Sequence, residues 1–230
     1  MRKPAILLIM LLIIVPWAQA AEPLSFVALG DSYTEGPGVA RPETWPTLLS
    51  EHLRSSGIPL EAMYNLGRSG WTTKQVIDFQ LPVFDQLKPD FVTILIGAND
   101  CVQGLDATQF RQDLRFLLDH LIAGMPDKNH LFVLTIPDFS VTPYAKNFGG
   151  RDNLARRIVE FNAIILEEAG LRNLKTVDLY PVSRDMQNDP GLISPDGLHP
   201  SAKEYVLWEN LIFEQVSPNL SSLRERSENQ

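Results

Sequence analysis

The sequence predicts an α/β fold: a three-layer αβα sandwich around a five-stranded parallel sheet with the flavodoxin-like strand order 2-1-3-4-5. Short apolar runs alternate with stretches of helical periodicity along the chain, and strand alternates with helix five times. Such alternation is typical of a parallel sheet covered by helices on both faces. Right-handed crossovers leave few topologies, and this order is the natural one for five strands.

Five segments have the composition of buried strands. Residues 25–30 are apolar and end at a turn, and residues 91–97 are β-branched, continuous and closed by a glycine. The remaining strands are predicted at 62–66, 130–136 and 174–179. Ligands of such sheets bind outside the carboxyl ends of the strands, so chemistry is expected in the residues that follow these segments.

Amphipathic helices are predicted between and after the strands, at 45–53, 110–122, 154–171 and 202–216. Two irregular stretches, 36–43 and 137–152, each follow the carboxyl end of a strand. A long loop at that edge is typical of a functional segment or a lid. A mobile surface connection explains both stretches equally well.

Residues 1–20 have the pattern of a secretory signal peptide. Two basic residues precede an apolar run, and Ala18 and Ala20 supply the small residues of a cleavage site. We expect cleavage before Ala21 and a secreted or periplasmic protein. An uncleaved anchor is the alternative, although the apolar run is shorter than the roughly 20 residues needed to span a bilayer.

The mature chain is predicted to form one domain, 21–216, followed by a polar, disordered tail at 217–230. Hydrophobic residues make up 44% and charged residues 21%, which is an ordinary globular composition. The net charge of -8 disfavours a nucleic-acid partner, and no stable membrane span is expected after cleavage. Because Cys101 is the only cysteine, neither an internal disulfide nor a cysteine-type zinc site is expected.

Candidate functional residues follow the first three strands. Ser32 stands just past the first strand, where a turn into a helix would lift it to the rim of the sheet. Asp31 and Ser32 could equally form a helix cap. Gly70 and Asn99 follow the second and third strands. A glycine N–H and an asparagine amide are common oxyanion donors, although both residue types also populate tight turns.

Asp196 and His199 follow the last strand. Among the four histidines, His199 alone lies in a loop after a strand, with a carboxylate three residues before it. A carboxylate that accepts the imidazole N–H fixes the tautomer and stabilises the imidazolium. The same spacing occurs by chance in turns, and Asp178, at another strand end, is a competing carboxylate. Structural roles are expected of the other histidines, His52, His120 and His130.

Together these fragments resemble the sequence blocks of the SGNH hydrolase superfamily, also called GDSL esterases and lipases. The resemblance covers roughly residues 26–208, essentially the whole mature domain. The matched positions are, in block order, Gly30-Asp31-Ser32, Gly70, Asn99, and Asp196 with His199.

The resemblance implies a serine esterase that works through an acyl-enzyme. Ser32 would be the nucleophile and would also donate its backbone N–H to the oxyanion. The Gly70 N–H and the Asn99 amide would complete the oxyanion hole. His199 would be the base and Asp196 the residue that orients it, and no cofactor or metal is implied.

Two positions depart from the family pattern. Tyr33 stands where the family name has leucine, and Ala98 replaces a frequent glycine. Neither change removes a catalytic atom, so both are expected to bear on the shape of the pocket.

The implied substrates are small-molecule or lipid esters: short-chain or aryl esters, or lysophospholipids, as in lysophospholipase- or arylesterase-like bacterial enzymes. A carbohydrate O-acetylesterase is the alternative. A rival of another class is a non-catalytic binding module on the same fold, which the presence of every expected catalytic group disfavours. A thiol hydrolase using Cys101 is disfavoured because no histidine lies near it in the sequence.

Overall fold

A computed structural model describes residues 22–228, with side chains described for residues 22–220. Its centre is a sheet of five parallel strands in the order β2-β1-β3-β4-β5. The predicted fold class and strand order are confirmed. The strands are β1 (Leu24–Gly30), β2 (Leu60–Asn65), β3 (Phe91–Leu95), β4 (Leu131–Leu134) and β5 (Lys175–Val177).

Helices cover the sheet, and each helix predicted from periodicity is present, with α2 packed on α9 and α6 packed on α7. A π-helical turn, Val76–Gln80, joins α3 to α4. The helices are α1 (Ser32–Glu35), α2 (Trp45–Ser55), α3 (Thr73–Gln75), α4 (Leu81–Leu87), α5 (Ala98–Val102), α6 (Ala107–Gly124), α7 (Arg151–Leu171), α8 (Tyr180–Ser183) and α9 (Ala202–Glu228).

The interior strands form the rigid base of the candidate site. Every residue of β3 is buried, as is β1 from Phe26 onward. Phe26 stacks on Phe91 of the neighbouring strand with ring centroids 4.3 Å apart. Burial on both faces explains why these segments are continuous apolar runs rather than alternating ones. The carboxyl ends of β1 and β3 are therefore held by packing on both sides.

The last helix corrects the predicted end of the domain. A disordered tail was expected from residue 217, but α9 crosses Ser217 and Pro218 and continues to Glu228. Leu220 is buried, one helical turn beyond the buried Val216. The apolar stripe thus extends past the predicted boundary at 216, and the polar residues between its members lie on the outer face. The predicted disorder is wrong for residues 217–220.

The second irregular stretch, 137–152, is not an open loop. It contains two 3₁₀ segments, Phe139–Val141 and Pro143–Phe148. Phe139 and Ala145 are buried within it.

The predicted signal peptide and its cleavage site lie outside the described residues. Within residues 22–228, no helix is both long and apolar enough to cross a membrane.

Candidate active site

Ser32 is the first residue of α1, immediately beyond the carboxyl end of β1. The cap of this helix is Asp31, whose Oδ1 accepts the Tyr33 N–H at 3.0 Å. The chain reaches the turn through Gly30, where a Cβ would lie 2.3 Å from the Leu95 carbonyl oxygen. The helix is therefore capped by the Asp31 side chain, and the Ser32 hydroxyl is not needed as a cap.

Gln80, the last residue of the π-helical turn, binds the backbone of Gly30, two residues before Ser32. The buried Gln80 side chain accepts the Gly30 N–H at 2.9 Å and donates to the Gly30 carbonyl at 2.7 Å. Both hydrogen-bonding groups of the residue before the Asp31-Ser32 turn are thus occupied by one amide. A single glutamine in a helical segment carries no local signal, so the sequence did not reveal this contact.

The loop after β2 packs directly on α1. The Arg68 N–H donates to the Gly30 carbonyl at 3.2 Å, and the Ser69 N–H donates to Glu35 Oε2 at 2.7 Å. Gly67 is so close that a Cβ there would lie 2.4 Å from the Glu35 nitrogen. Gly70 follows this contact with φ +82° and open space around it. Gly70 therefore directly follows a segment that packs against the Ser32 helix.

Asn99 reaches the same place from the end of β3, in the first turn of α5. Its Nδ2 donates to the Trp71 carbonyl at 3.0 Å, which joins it to the residue after Gly70. Gln103 strengthens the connection by donating from Nε2 to the Gly70 carbonyl at 3.3 Å. The loops after β2 and β3 thus form one unit.

Two buried carboxyl groups lie behind this unit. Burial raises the pKa of Asp31 to about 8, and the carboxylate of Asp100 contributes in the same direction. Burial likewise raises the pKa of Asp100 to about 6, despite hydrogen bonds from Thr73. At neutral pH Asp31 is therefore mostly protonated. A neutral Asp31 places no full negative charge where it would oppose an oxyanion.

Asp196 and His199 share a tight turn closed by the antiparallel bridge between Ile193 and Pro200. His199 Nδ1 lies 2.7 Å from Asp196 Oδ2. Asp196 Oδ1 accepts the Ser194 hydroxyl at 2.7 Å and the His199 N–H at 2.9 Å. Burial would raise the pKa of Asp196, but these hydrogen bonds outweigh it and hold the pKa well below its usual range. Asp196 is thus an ionised hydrogen-bond acceptor for the imidazole.

The ring of Tyr33 connects His199 to the nucleophile turn. It lies 5.5 Å from the His199 ring, 5.8 Å from Phe139 and 6.1 Å from Trp208, measured between centroids. Because Tyr33 directly follows Ser32, this packing brings the imidazole to the same edge of the sheet as the serine. The strand-end residues singled out in the sequence therefore converge at one edge.

A protein-family model described as "GDSL-like Lipase/Acylhydrolase family" matches residues 28–207. The chain belongs to this family. Membership makes it a hydrolase of carboxylic esters. It is 24% identical over 200 residues to "Thioesterase 1/protease 1/lysophospholipase L1" of Escherichia coli (strain K12), and the match covers 87% of this chain and 86% of that protein.

One further relative is much longer than this chain, and one solved structure shares the fold at low sequence identity. The GDSL hydrolase is 30% identical over 141 residues, 58% of its length, to "Multidomain esterase" of Ruminococcus flavefaciens. That match spans only 16% of the multidomain protein. The crystal structure of the acetylxylan esterase Axe2 from Geobacillus stearothermophilus has a TM-score of 0.69 at 18% identity, covering 86% of this chain and 95% of that chain.

The two departures from the family pattern occupy buried positions in this GDSL hydrolase. Tyr33 is 3% exposed and Ala98 is 4% exposed. Neither side chain lines an open surface of the site, so any effect on the shape of the pocket would come through packing behind it. Tyr33 instead packs behind His199, a role that an aromatic side chain next to the candidate serine could have suggested. Ser194 was also missed, although a hydroxyl two residues before Asp196 is a common turn feature.

The irregular loops of the GDSL hydrolase pack on the turn that carries His199. A Cβ at Gly38 would lie 2.5 Å from Ser194 Oγ, so the 36–43 stretch approaches that turn closely. From the other loop, the Tyr144 N–H donates to the Gly197 carbonyl at 3.1 Å. Both loops therefore support the candidate base.

The competing candidates are occupied elsewhere. Asp178 Oδ1 accepts the Thr135 hydroxyl at 2.7 Å. His52 Nδ1 lies 2.9 Å from a Glu209 carboxylate oxygen, and His120 Nε2 lies 2.8 Å from one of Asp85. Structural roles for these two histidines fit their contacts.

Cys101 is buried, and burial raises the pKa of its thiol far above the ordinary value, which opposes thiolate chemistry. Among the side chains of residues 22–220, no group of three or more His, Cys, Asp or Glu is placed to hold a metal ion.

Proposed function

We propose that the protein hydrolyses carboxylic esters in two steps through an acyl-enzyme on Ser32. His199 takes the Ser32 proton, Ser32 Oγ attacks the ester carbonyl, and the protonated imidazole then passes its proton to the leaving oxygen. Water then attacks the acyl-enzyme with His199 again as base, the bond from the acyl carbon to Ser32 Oγ breaks, and the imidazolium returns its proton to Ser32 as the carboxylic acid leaves. The observation that carries this assignment is the 2.7 Å contact between His199 Nδ1 and Asp196, since it leaves Nε2 for proton transfer.

The oxyanion would be held by the Ser32 N–H, the Gly70 N–H and the Asn99 amide. An amide NH₂ group has two hydrogens. One hydrogen of Asn99 Nδ2 is used by the Trp71 carbonyl at 3.0 Å, and the Asp31 carboxyl group also interacts with this amide. The hydrogen bond to Trp71 fixes the orientation of the amide before substrate arrives, and the substrate oxyanion would take the second hydrogen in place of Asp31. Donors held in advance stabilise a developing charge without reorganising, which is why they contribute mainly in the transition state.

Replacing Asn99 with alanine should lower kcat by about 10²–10³ with little change in KM, because this donor matters mainly in the transition state. Asn99→Asp is the matched variant: it keeps the shape but has no N–H to donate, so it should lose at least as much activity. Steady-state kinetics on p-nitrophenyl acetate measures both. A raised KM with kcat intact would instead make Asn99 a residue that binds the ground state.

The substrates proposed are short-chain or aryl esters or lysophospholipids, the last supported by the likeness to a protein with lysophospholipase in its name. A carbohydrate O-acetylesterase is the second candidate, because a groove that carries several polar side chains adjoins the loops after β2 and β3. Its lining includes Thr72, Lys74, Gln103, Asp106, Gln109 and Asp113. A panel of p-nitrophenyl esters, lysophosphatidylcholine and acetylated xylooligosaccharides, compared by kcat/KM, separates these candidates.

Export is also proposed, with a mature protein that begins at Ala21 in the medium or the periplasm. Ala18 and Ala20 occupy the small-residue positions that a signal peptidase recognises. The intact mass of the exported protein should equal that of residues 21–230. Recovery of the full-length chain from the membrane fraction would favour an uncleaved anchor.

A further inference from the structure

An aromatic pair lies beside the candidate oxyanion hole with no role in the reaction described above. Trp71 directly follows Gly70, and its ring centroid is 5.4 Å from that of Phe79. Phe79 is 59% exposed, which makes it the most exposed aromatic side chain within residues 22–220. We call Trp71 and Phe79 the aromatic shelf.

The aromatic shelf is held in place by the same contacts that hold the site. The Trp71 carbonyl accepts the Asn99 amide at 3.0 Å, so the backbone of the shelf is joined to a candidate oxyanion donor. Phe79 lies in the π-helical turn next to Gln80, whose buried amide makes two hydrogen bonds to Gly30. π-Helical turns are rare and occur frequently at functional sites. Here the turn directs Gln80 toward the Ser32 segment and leaves Phe79 at the surface.

We propose that the aromatic shelf binds the acyl chain of the ester substrate, an inference that rests on the proposed function. In the tetrahedral intermediate the oxyanion faces Gly70 and Asn99, and the leaving oxygen must face His199 to receive its proton. Of the two parts of the ester, the alcohol must point to His199, so the acyl chain extends to the side away from it. We place the shelf on that side, because Trp71 directly follows Gly70 and its carbonyl accepts the Asn99 amide, whereas His199 packs on Tyr33.

The chemistry of the shelf suits an extended apolar chain. Full burial of one methylene changes an equilibrium constant about 4-fold, and a surface that covers one side of the chain should contribute about 2-fold per methylene. Lengthening the acyl group from acetyl to hexanoyl adds four methylenes. The shelf should therefore favour hexanoate over acetate esters by about 16-fold.

The test compares Phe79→Ala with Phe116→Ala in the full chain. Phe116 is a matched control because it is 56% exposed and lies on α6, where it has no part in the proposed site. Because Trp71 still forms half of the shelf, the ratio of kcat/KM for p-nitrophenyl hexanoate to that for p-nitrophenyl acetate should fall about 4-fold in Phe79→Ala and stay unchanged in Phe116→Ala. Trp71→Ala should change the ratio in the same direction, and thermal unfolding of each variant shows that it is folded.

A second series holds the acyl group constant as acetyl and changes the leaving group from phenol to naphthol. Phe79→Ala should leave this ratio within about 2-fold of the wild-type value. An unchanged hexanoate-to-acetate ratio in Phe79→Ala, or a change confined to the leaving-group series, would overturn the proposal. Neither result touches the proposed function, which fails only if hydrolysis does not depend on Ser32.

Discussion

Ser32→Ala should lower ester turnover by about 10⁶, the order of loss found when the serine of a catalytic triad is removed. Without the hydroxyl there is no group to carry the acyl intermediate, and water attack assisted only by the remaining groups is slow. The variant should fold normally, because Asp31 caps the helix at this turn and Gln80 makes the side-chain hydrogen bonds to Gly30. The measurements are kcat on p-nitrophenyl acetate and the thermal unfolding temperature.

A control and a covalent probe make this test specific. Ser55, an exposed serine whose hydroxyl bonds the His52 carbonyl at the end of α2, provides the control variant Ser55→Ala, which should keep full activity. A p-nitrophenyl phosphonate ester should transfer its phosphonyl group to Ser32 with release of p-nitrophenol, and so add the mass of that group to the wild-type protein and to Ser55→Ala. It should not add mass to Ser32→Ala. Retention of more than a few per cent of activity by purified Ser32→Ala would show that Ser32 is not the nucleophile.

Asp196→Asn should lower the plateau of kcat/KM by up to about 10⁴, the order of loss found when a triad loses its orienting carboxylate. Asp196 is ionised across the working pH range, because its hydrogen bonds hold its pKa well below the usual range. Its charge stabilises the imidazolium that forms during proton transfer and its hydrogen bond fixes the tautomer, so the substitution removes both contributions. The plateau is read from the pH dependence of kcat/KM.

Asp178→Asn is the matched control for this charge. Its carboxylate also lies at a strand end but accepts the Thr135 hydroxyl and the Tyr180 N–H, so the substitution should alter stability rather than the pH profile. Loss of activity in Asp178→Asn, together with an unchanged profile in Asp196→Asn, would assign the orienting role to the other carboxylate.

Much of this fold could be predicted from local sequence pattern. The strand ending at Gly30 and the strand 91–95 are apolar runs because both of their faces are covered, so hydrophobicity alone located them. The candidate residues were found by the rule that ligands bind at carboxyl strand ends. Helix α9 was predicted too short because its buried stripe becomes sparse after Val216, while Leu220 still packs in the core.

The sequence by itself determined the fold class, the strand order and the strand-end residues Ser32, Gly70, Asn99, Asp196 and His199, since hydrophobic periodicity and residue chemistry are local properties. Only the tertiary structure decided how these residues are held. The hydrogen bonds between Gln80 and Gly30 join residues fifty positions apart, and Tyr33, near the start of the domain, packs on His199, near its end. No local pattern encodes such contacts, because they exist only after the crossovers have brought distant segments to one edge of the sheet.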